Sequence, residues 1–385
     1  MTAVSLPVAS DPTLLTDVRR YGKFDIAGCF QCGSCTISCD LMTDYKSSPR
    51  QSIRQVLLGL RAPLEESLGP WICHDCGDCS DVCPRQADPR SSMMTLRQYL
   101  AAKYDWTGVA PKILRSTAWH AGALGFMAVL TLLLIVLYHV LYVHLTVSHL
   151  VTNPAGLEHM FPTITYFVLT VTLLPLFLLV SRTFRIWRLT MGGKGRPHVP
   201  ISVYAGEAWT YIYQSITHSL VLRCSGKQLW FGHWLLALGT TMMLVIKTFS
   251  LKWFQTDNIY PLYHPQRWLG YLATAFIVYG IGGILIRRLQ NHQDTAFQDM
   301  AFPVLLLLTA LSGISVHILR LAGFERGLLF AYAIHLMVVV PMLVIEMSFG
   351  KWSHMIYRPL ALYFHAVREK AWQQAPAEEA LGHAI

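Results

Sequence analysis

Residues 28–39 read G-C-F-Q-C-G-S-C-T-I-S-C, and residues 71–84 read W-I-C-H-D-C-G-D-C-S-D-V-C-P. Eight of the nine cysteines fall in these two runs: Cys29, Cys32, Cys35 and Cys39, then Cys73, Cys76, Cys79 and Cys83. Each run has the form C-x2-C-x2-C-x3-C. Thiolates at i, i+3 and i+6 can wrap one corner of a cuboidal iron-sulfur cluster on a tight loop, whereas the fourth cannot reach that cluster without strain. Two other readings compete. A disulfide scaffold needs an oxidising compartment, and residues 1–28 carry no charged-then-apolar export segment. Zinc ribbons use pairs of cysteines, and triplets capped by a fourth do not follow that pattern.

The spacing, with Pro84 after the last cysteine, is that of bacterial two-cluster ferredoxins, in which the fourth cysteine of each run ligates the other cluster. Cys29, Cys32, Cys35 and Cys83 are therefore assigned to one [4Fe-4S] cluster, and Cys73, Cys76, Cys79 and Cys39 to the second. This crossing would staple a domain too small to build a large core. The first run is looser, because Asp40 stands where a proline would follow Cys39.

Composition places the remainder elsewhere. Of 385 residues, 53% are hydrophobic and only 14% charged, too apolar for a soluble protein of this size, so part of the chain belongs in lipid. The net charge of +9 does not indicate nucleic acid, because it is unevenly placed. Residues 1–115 hold 13 Lys+Arg against 12 Asp+Glu, whereas the rest hold 18 against 10.

Along the first part, Thr13–Tyr21 is an amphipathic stretch expected to dock on the cluster domain or a partner. Pro49–Leu60 predicts a short helix with Ile53, Val56, Leu57 and Leu60 on one face and Gly59 near its end. Ser91–Tyr104 predicts another, with Met93, Met94, Leu96, Leu100 and Tyr104 at helical spacing.

Together with S-P-R-Q-S-I-R-Q-V-L-L-G-L between them, the two cysteine runs resemble the small iron-sulfur subunits of heterodisulfide reductases. More narrowly, they are similar to the C subunits of quinone-interacting membrane-bound oxidoreductase (Qmo) complexes, whose second run also reads W-x-C-H-x-C-x-D-C. That resemblance implies two cytoplasmic flavin and iron-sulfur partners, the Qmo A and B subunits, and adenylylsulfate reductase as the final partner in dissimilatory sulfur metabolism.

From Trp119 onward long apolar runs take over. Six spans are predicted, near 118–143, 163–183, 232–251, 268–286, 302–320 and 327–349, each close to the ~20 residues that cross a bilayer. Six crossings return the chain to its starting side. Thirteen basic residues, in 181–231, at Arg287 and Arg288, and at Lys351, Arg358, Arg368 and Lys370, share one face, against at most five opposite. The positive-inside rule then puts the clusters in the cytoplasm, and the expected location is a bacterial inner membrane. The expected organisation is all-α: a two-[4Fe-4S] domain at 1–115, a six-helix transmembrane domain at 116–360 and a cytoplasmic tail at 361–385.

Clusters wired to a membrane domain need a carrier inside the bilayer, and a histidine within hydrocarbon marks a site by default. His335 and His354 are 19 residues apart, roughly one bilayer of helix. An ideal helix would turn them about 100° from each other, and Pro341 between them can kink the helix or force a bulge that absorbs one residue. By depth, His233 and His354 pair as axial ligands of a proximal haem b. His335 holds a distal haem b, with His317 as its second ligand and Met243 as the alternative; His139, His144 and His264 rank behind. The same residues, with A-Y-A-I-H ending at His335, K-W-S-H-M-I-Y around His354 and G-G-I-L-I-R-R closing the fourth span, resemble the cytochrome b-type gamma subunit of respiratory nitrate reductases. Met243 stands where that family has a histidine.

Quinone, either menaquinone or ubiquinone, is the natural membrane substrate for such a chain. Lys247, His264 and Arg267 are candidates on the outer side for its hydrogen bonds and protons, though a lysine at a span end more often snorkels. No nucleotide fingerprint, P-loop or hydrolytic triad is visible, so flavin chemistry belongs to a partner. Cys224 reads as a small buried thiol. The expectation is a quinone-reactive electron-transfer subunit of a membrane oxidoreductase. The alternatives are a heterodisulfide reductase-type or sulfite-reduction-associated membrane subunit, and a membrane-bound protein for iron-sulfur assembly or redox sensing.

Overall fold

The structure, a computed structural model, describes residues 9–26, 28–41, 47–142, 157–192, 199–249, 260–290 and 297–374. Among them the chain is helical and no strand occurs. Six helices are long and apolar enough to cross a membrane: Thr117–Tyr138, Tyr166–Met191, Gly226–Phe249, Pro265–Gln290, Phe297–Leu321 and Gly327–Met347. Their number and length make this a multi-pass membrane protein. By internal contacts the chain forms two compact units: residues 1–115 with 180–230 and 354–385, and residues 116–179 with 231–353. The stretches 180–230 and 354–385 pack with the cysteine-bearing residues 1–115.

In the first unit the chain wraps around the helix Pro89–Tyr104. Asp88 caps it by accepting from the Ser91 amide at 3.2 Å, and Met93, Leu96, Tyr99, Leu100 and Tyr104 are fully buried. The helix Pro49–Leu57 packs on it, capped by Ser48, with Ile53 and Val56 inward. Leu57, expected on the inward face, is 42% exposed, because Ser52 and Gln55 complete the buried stripe. Beyond this helix Gly59 takes φ +68°, where a Cβ would fall 2.6 Å from the Asp11 carbonyl oxygen. Arg61 ties the N-terminal helix Leu14–Arg19 to this core: it donates to Asp11 at 2.6 Å, to Asp17 at 2.7 Å and to the Tyr99 hydroxyl at 2.8 Å. Hydrogen bonds from Thr13 and then Arg61 hold the Asp11 carboxyl down at about 2.

Later sequence joins the same unit. The helices Ile201–Thr217 and His354–Gln374 pack on each other, with the Tyr363 hydroxyl donating to the Tyr204 carbonyl at 2.8 Å. His354–Gln374 also packs on the short helix Gly69–Ile72, immediately before Cys73. Arg182 donates to Asp105 at 2.8 Å with both side chains buried.

The second unit is a bundle. Phe297–Leu321 packs on Glu325–Pro341 and on Pro265–Gln290, and Glu325–Pro341 packs on Thr117–Tyr142. Ile277, Ile281, Leu306, Ala310 and Met342 form a buried apolar cluster. Two glycines let backbones approach: a Cβ at Gly280 would lie 2.7 Å from the Gly232 carbonyl oxygen, and one at Gly239 would lie 2.8 Å from that of Ala273. After Pro341 the last span changes to a π-helical turn, Met342–Met347. Of the kink or bulge expected at the proline, a bulge forms: an amide donor is missing, and the ladder accommodates one extra residue.

Candidate functional site

Both cysteine runs fold the same way. Gly33 (φ +92°) and Gly77 (φ +109°) each follow the second cysteine of a run, in a left-handed conformation that glycine adopts at little cost. Each starts a short helix, Ser34–Ile37 and Asp78–Asp81, and these two helices pack together. The pairing carries cysteines across from one run to the other. A cavity is lined by Cys29, Cys32 and Cys35 from the first run and by Cys83 and Pro84 from the end of the second, with Arg50 at its edge.

The sulfurs of the two runs also act on one another. Cys35 is pushed up by burial and then by Cys29, Cys32 and Cys83. Burial and the neighbours Cys73, Cys76, Cys35 and Cys39 push the Cys79 thiol up to about 12. Cys73, a buried residue, is also raised by burial, and Cys39 is among the groups acting on it. Thiols that raise one another this way form a donor set suited to a cation. Among the described residues no three His, Cys, Asp or Glu side chains converge closely enough for a single ion. A [4Fe-4S] cube is wider than an ion, and the cavity bordered by Cys29, Cys32, Cys35 and Cys83 brings together sulfurs of both runs, as such a group needs. Donors already aim at the sulfurs: Gln31 Nε2 at Cys29 and the Ala87 amide at Cys83, each at 3.4 Å. Ser34 lies 3.4 Å from Cys32 and lowers its thiol. Gln31 and Ser34 carry no signal in the sequence, because a hydrogen bond to sulfur leaves no spacing signature.

Residues 25–87 match the family model of the 4Fe-4S dicluster domain. The matched relatives are the C subunits of heterodisulfide reductases and proteins like them. One of these, a protein of Archaeoglobus profundus named as similar to the heterodisulfide reductase C subunit, is 31% identical over 100 residues, 26% of this chain and 53% of that protein. The C subunit of the ferredoxin:CoB-CoM heterodisulfide reductase of Methanosarcina acetivorans is 43% identical over 88 residues, 22% of this chain and 34% of that protein. The chain thus spans about half the length of the first relative and a third of the second. No solved structure matches. The cysteine-bearing part is thus similar to 4Fe-4S dicluster domains and to segments of heterodisulfide reductase C subunits.

The histidines fall in both units. His354 opens the helix His354–Gln374 of the first unit, one turn before Tyr357, and His233 lies in the helix Ser219–Phe249 within the second. His335 is half-buried, its Nδ1 2.9 Å from the Ser312 hydroxyl, and its ring lies over Gly313, where a Cβ would come within 3.2 Å of Cε1. That arrangement orients the imidazole through Nδ1, the same kind of hydrogen bond that orients metal-bound histidines. Met243 packs against the apolar cluster around Ile277 and Met342.

His264 stacks on Tyr260 with ring centroids 4.0 Å apart, and Arg267 donates to the Tyr260 carbonyl at 3.0 Å. Arg267 also donates to the Tyr271 hydroxyl at 2.9 Å, which leaves that hydroxyl's hydrogen for His317 Nε2, 2.7 Å away. Tyr271 therefore joins Arg267 and His317 in one hydrogen-bonded group, with His264 stacked beside it on Tyr260. Lys247 lies on a different helix, in the span Gly226–Phe249. His144 and the side chains of His139 and Cys224 lie outside the described residues.

Sequence reasoning misses one further pair. His120 Nε2 and Glu346 Oε1 are 2.5 Å apart, with side chains 1% and 0% exposed. A signal for it exists: Glu346 is the single carboxylate in the apolar run 327–349.

Proposed function

We propose that this chain is the membrane subunit of an oxidoreductase complex that carries electrons between quinone and a cytoplasmic flavoprotein through two b haems and two [4Fe-4S] clusters. Cys29, Cys32, Cys35 and Cys83 hold one cluster and Cys73, Cys76, Cys79 and Cys39 the other. His233 and His354 hold the proximal haem and His335 the distal one. His317 serves as the second distal ligand by releasing Tyr271, or Met243 does so by turning out of its apolar contacts. When bound, these groups supply one-electron chemistry that no side chain provides.

One observation carries the reading: the helix that begins at His354 packs on Gly69–Ile72, the segment leading into Cys73. A haem-ligating histidine and a cluster-ligating cysteine on two packed helices make a short route for electrons. Lys247, His264 and Arg267 are the candidates for hydrogen bonds to a quinone carbonyl. By the distribution of Lys and Arg the clusters face the cytoplasm of a bacterial inner membrane.

The resemblance of the cysteine segment favours subunits like Qmo A and B as partners, with adenylylsulfate reductase as the final one. The names of the relatives favour a second reading, a heterodisulfide reductase-type acceptor. Co-purifying flavoproteins separate the two. The test of the shared core is a reduced-minus-oxidised spectrum, followed by addition of a quinol analogue. A b-type α-band that quinol reduces is expected, and His354→Ala should lose one haem and stop electrons reaching the clusters. Material without Soret absorption, or unchanged haem content in His354→Ala, would refute it.

A further inference from the structure

We propose that His120 and Glu346 form a buried proton-binding site that takes up a proton when the membrane half of the protein is reduced. The proposal rests on the haem reading above. The two side chains come from opposite ends of the chain's membrane part, the start of the first span and the end of the last, and meet at 2.5 Å out of contact with solvent. Glu346 belongs to the π-helical turn Met342–Met347, a rare geometry that recurs at functional sites. Gly350 makes room for it: a Cβ there would overlap Glu346 Oε2. His120 also packs edge-on against Phe297, with ring centroids 5.3 Å apart.

Nε2 and Oε1 share the short bond, and one proton between them leaves the pair neutral. Among the described residues His120 Nδ1 and Glu346 Oε2 are buried with no hydrogen-bond partner. Polar atoms buried without a partner are costly in low dielectric. The neutral pair is an imidazolium, protonated at Nδ1 and Nε2, facing a carboxylate; one further proton adds to Glu346 Oε2 and makes the carboxylate a carboxylic acid.

The balance is one charge for one charge. A quinol gives up two electrons and two protons; each electron entering the bundle adds a negative charge, and one proton from water entering the pair adds a positive one. Other groups on the elements packed around the π turn are less suited to this. Asp299 is engaged by Lys351, with Arg288 on its backbone carbonyl, and both side chains of the Asp299–Lys351 pair are partly exposed. Tyr138, Tyr332, His335, His317 and Arg320 lie further along their helices, many residues from Phe297 or Glu346.

Redox-difference infrared spectroscopy of the intact protein, titrated with a quinol analogue, tests this. A carboxyl C=O band that grows on reduction, shifts in deuterium oxide and is lost in Glu346→Gln is expected. The haem midpoint potential should fall with rising pH, and Glu346→Gln should flatten that slope. If Glu346→Gln fails to accumulate, His120→Gln keeps the carboxyl and should flatten the slope likewise, and the deuterium-sensitive band of the wild type decides independently. Reducible haem with no carboxyl band, or with a band and slope that neither variant alters, would overturn the proton site and leave the functional reading standing. Absence of any Soret band would overturn both.

Discussion

The indole of Trp71, two residues before Cys73, meets Tyr357, three residues after His354, edge to face, with ring centroids 5.3 Å apart and planes at 84°. Tyr104 closes the group: it stacks on Trp71 at 6.1 Å and accepts from Trp71 Nε1 at 3.3 Å. All three are at most 2% exposed, and burial drives the Tyr357 hydroxyl up to about 12, so it stays a phenol. Aromatic pairs in this geometry add to the area they bury.

Removing Tyr357 should therefore uncouple the packed helices. Tyr357→Ala is expected to destabilise the first unit by about 3–5 kcal/mol, whereas Tyr357→Phe keeps the ring and costs under about 1.5 kcal/mol. Thermal melts of detergent-solubilised protein measure the first effect. Stopped-flow reduction of the clusters by quinol should be slow in the Ala variant and near normal in the Phe variant.

Crossed ligation makes a prediction about pairs of cysteines. Cys83→Ala should lose one cluster and lower iron from about eight to about four per chain. Adding Cys32→Ala should then cost no further iron, because both belong to the same set, while adding Cys76→Ala should remove nearly all of it. Iron analysis of the three variants decides. Further loss with Cys32 and none with Cys76 would show that each run closes its own cluster.

The Asp105–Arg182 pair should govern acid stability. Burial raises the Asp105 carboxyl, but bonds from Thr107 and the Ala110 amide and the charge of Arg182 outweigh it and leave it below its ordinary value. A carboxyl lowered in the folded state stabilises above its unfolded pKa, about 3.9, and the benefit disappears as pH falls through the folded value. Arg182→Met should cost about 3–5 kcal/mol near neutrality by stranding Asp105. Melting curves from pH 7 down to about pH 2 should show the difference from wild type shrinking in acid.

Gly280 should tolerate no side chain. Its Cβ would lie 2.6 Å from that of Leu236, so Gly280→Ala should cost about 1–3 kcal/mol through overpacking. Gly282, with nothing within 4 Å of its Cβ position, should accept alanine within about 0.5 kcal/mol. Melting temperatures of the two variants, measured side by side, make the comparison.

Much of this is readable from local pattern. Cysteines at fixed spacing announce a cluster domain because chain geometry alone brings i, i+3 and i+6 together. Runs of twenty apolar residues announce spans because hydrocarbon thickness sets their length, and Pro341 announces an irregularity because its missing amide is a local fact. The helix at Pro49 is legible in the same way, although the outward turn of Leu57 is not: which residues complete its buried stripe depends on what packs against it.

Contacts between distant residues are not readable. Glu346 finds His120 from 226 positions away, Tyr271 finds His317 from 46, and Trp71 finds Tyr357 from 286. Spacing carries information over the few residues that one turn of chain can span; beyond that, proximity follows from how whole helices settle against each other. The cysteines and spans are therefore written in linear order, while the proton pair, the aromatic joint and the joining of residues 180–230 and 354–385 to the cysteine-bearing unit arise only when the helices pack.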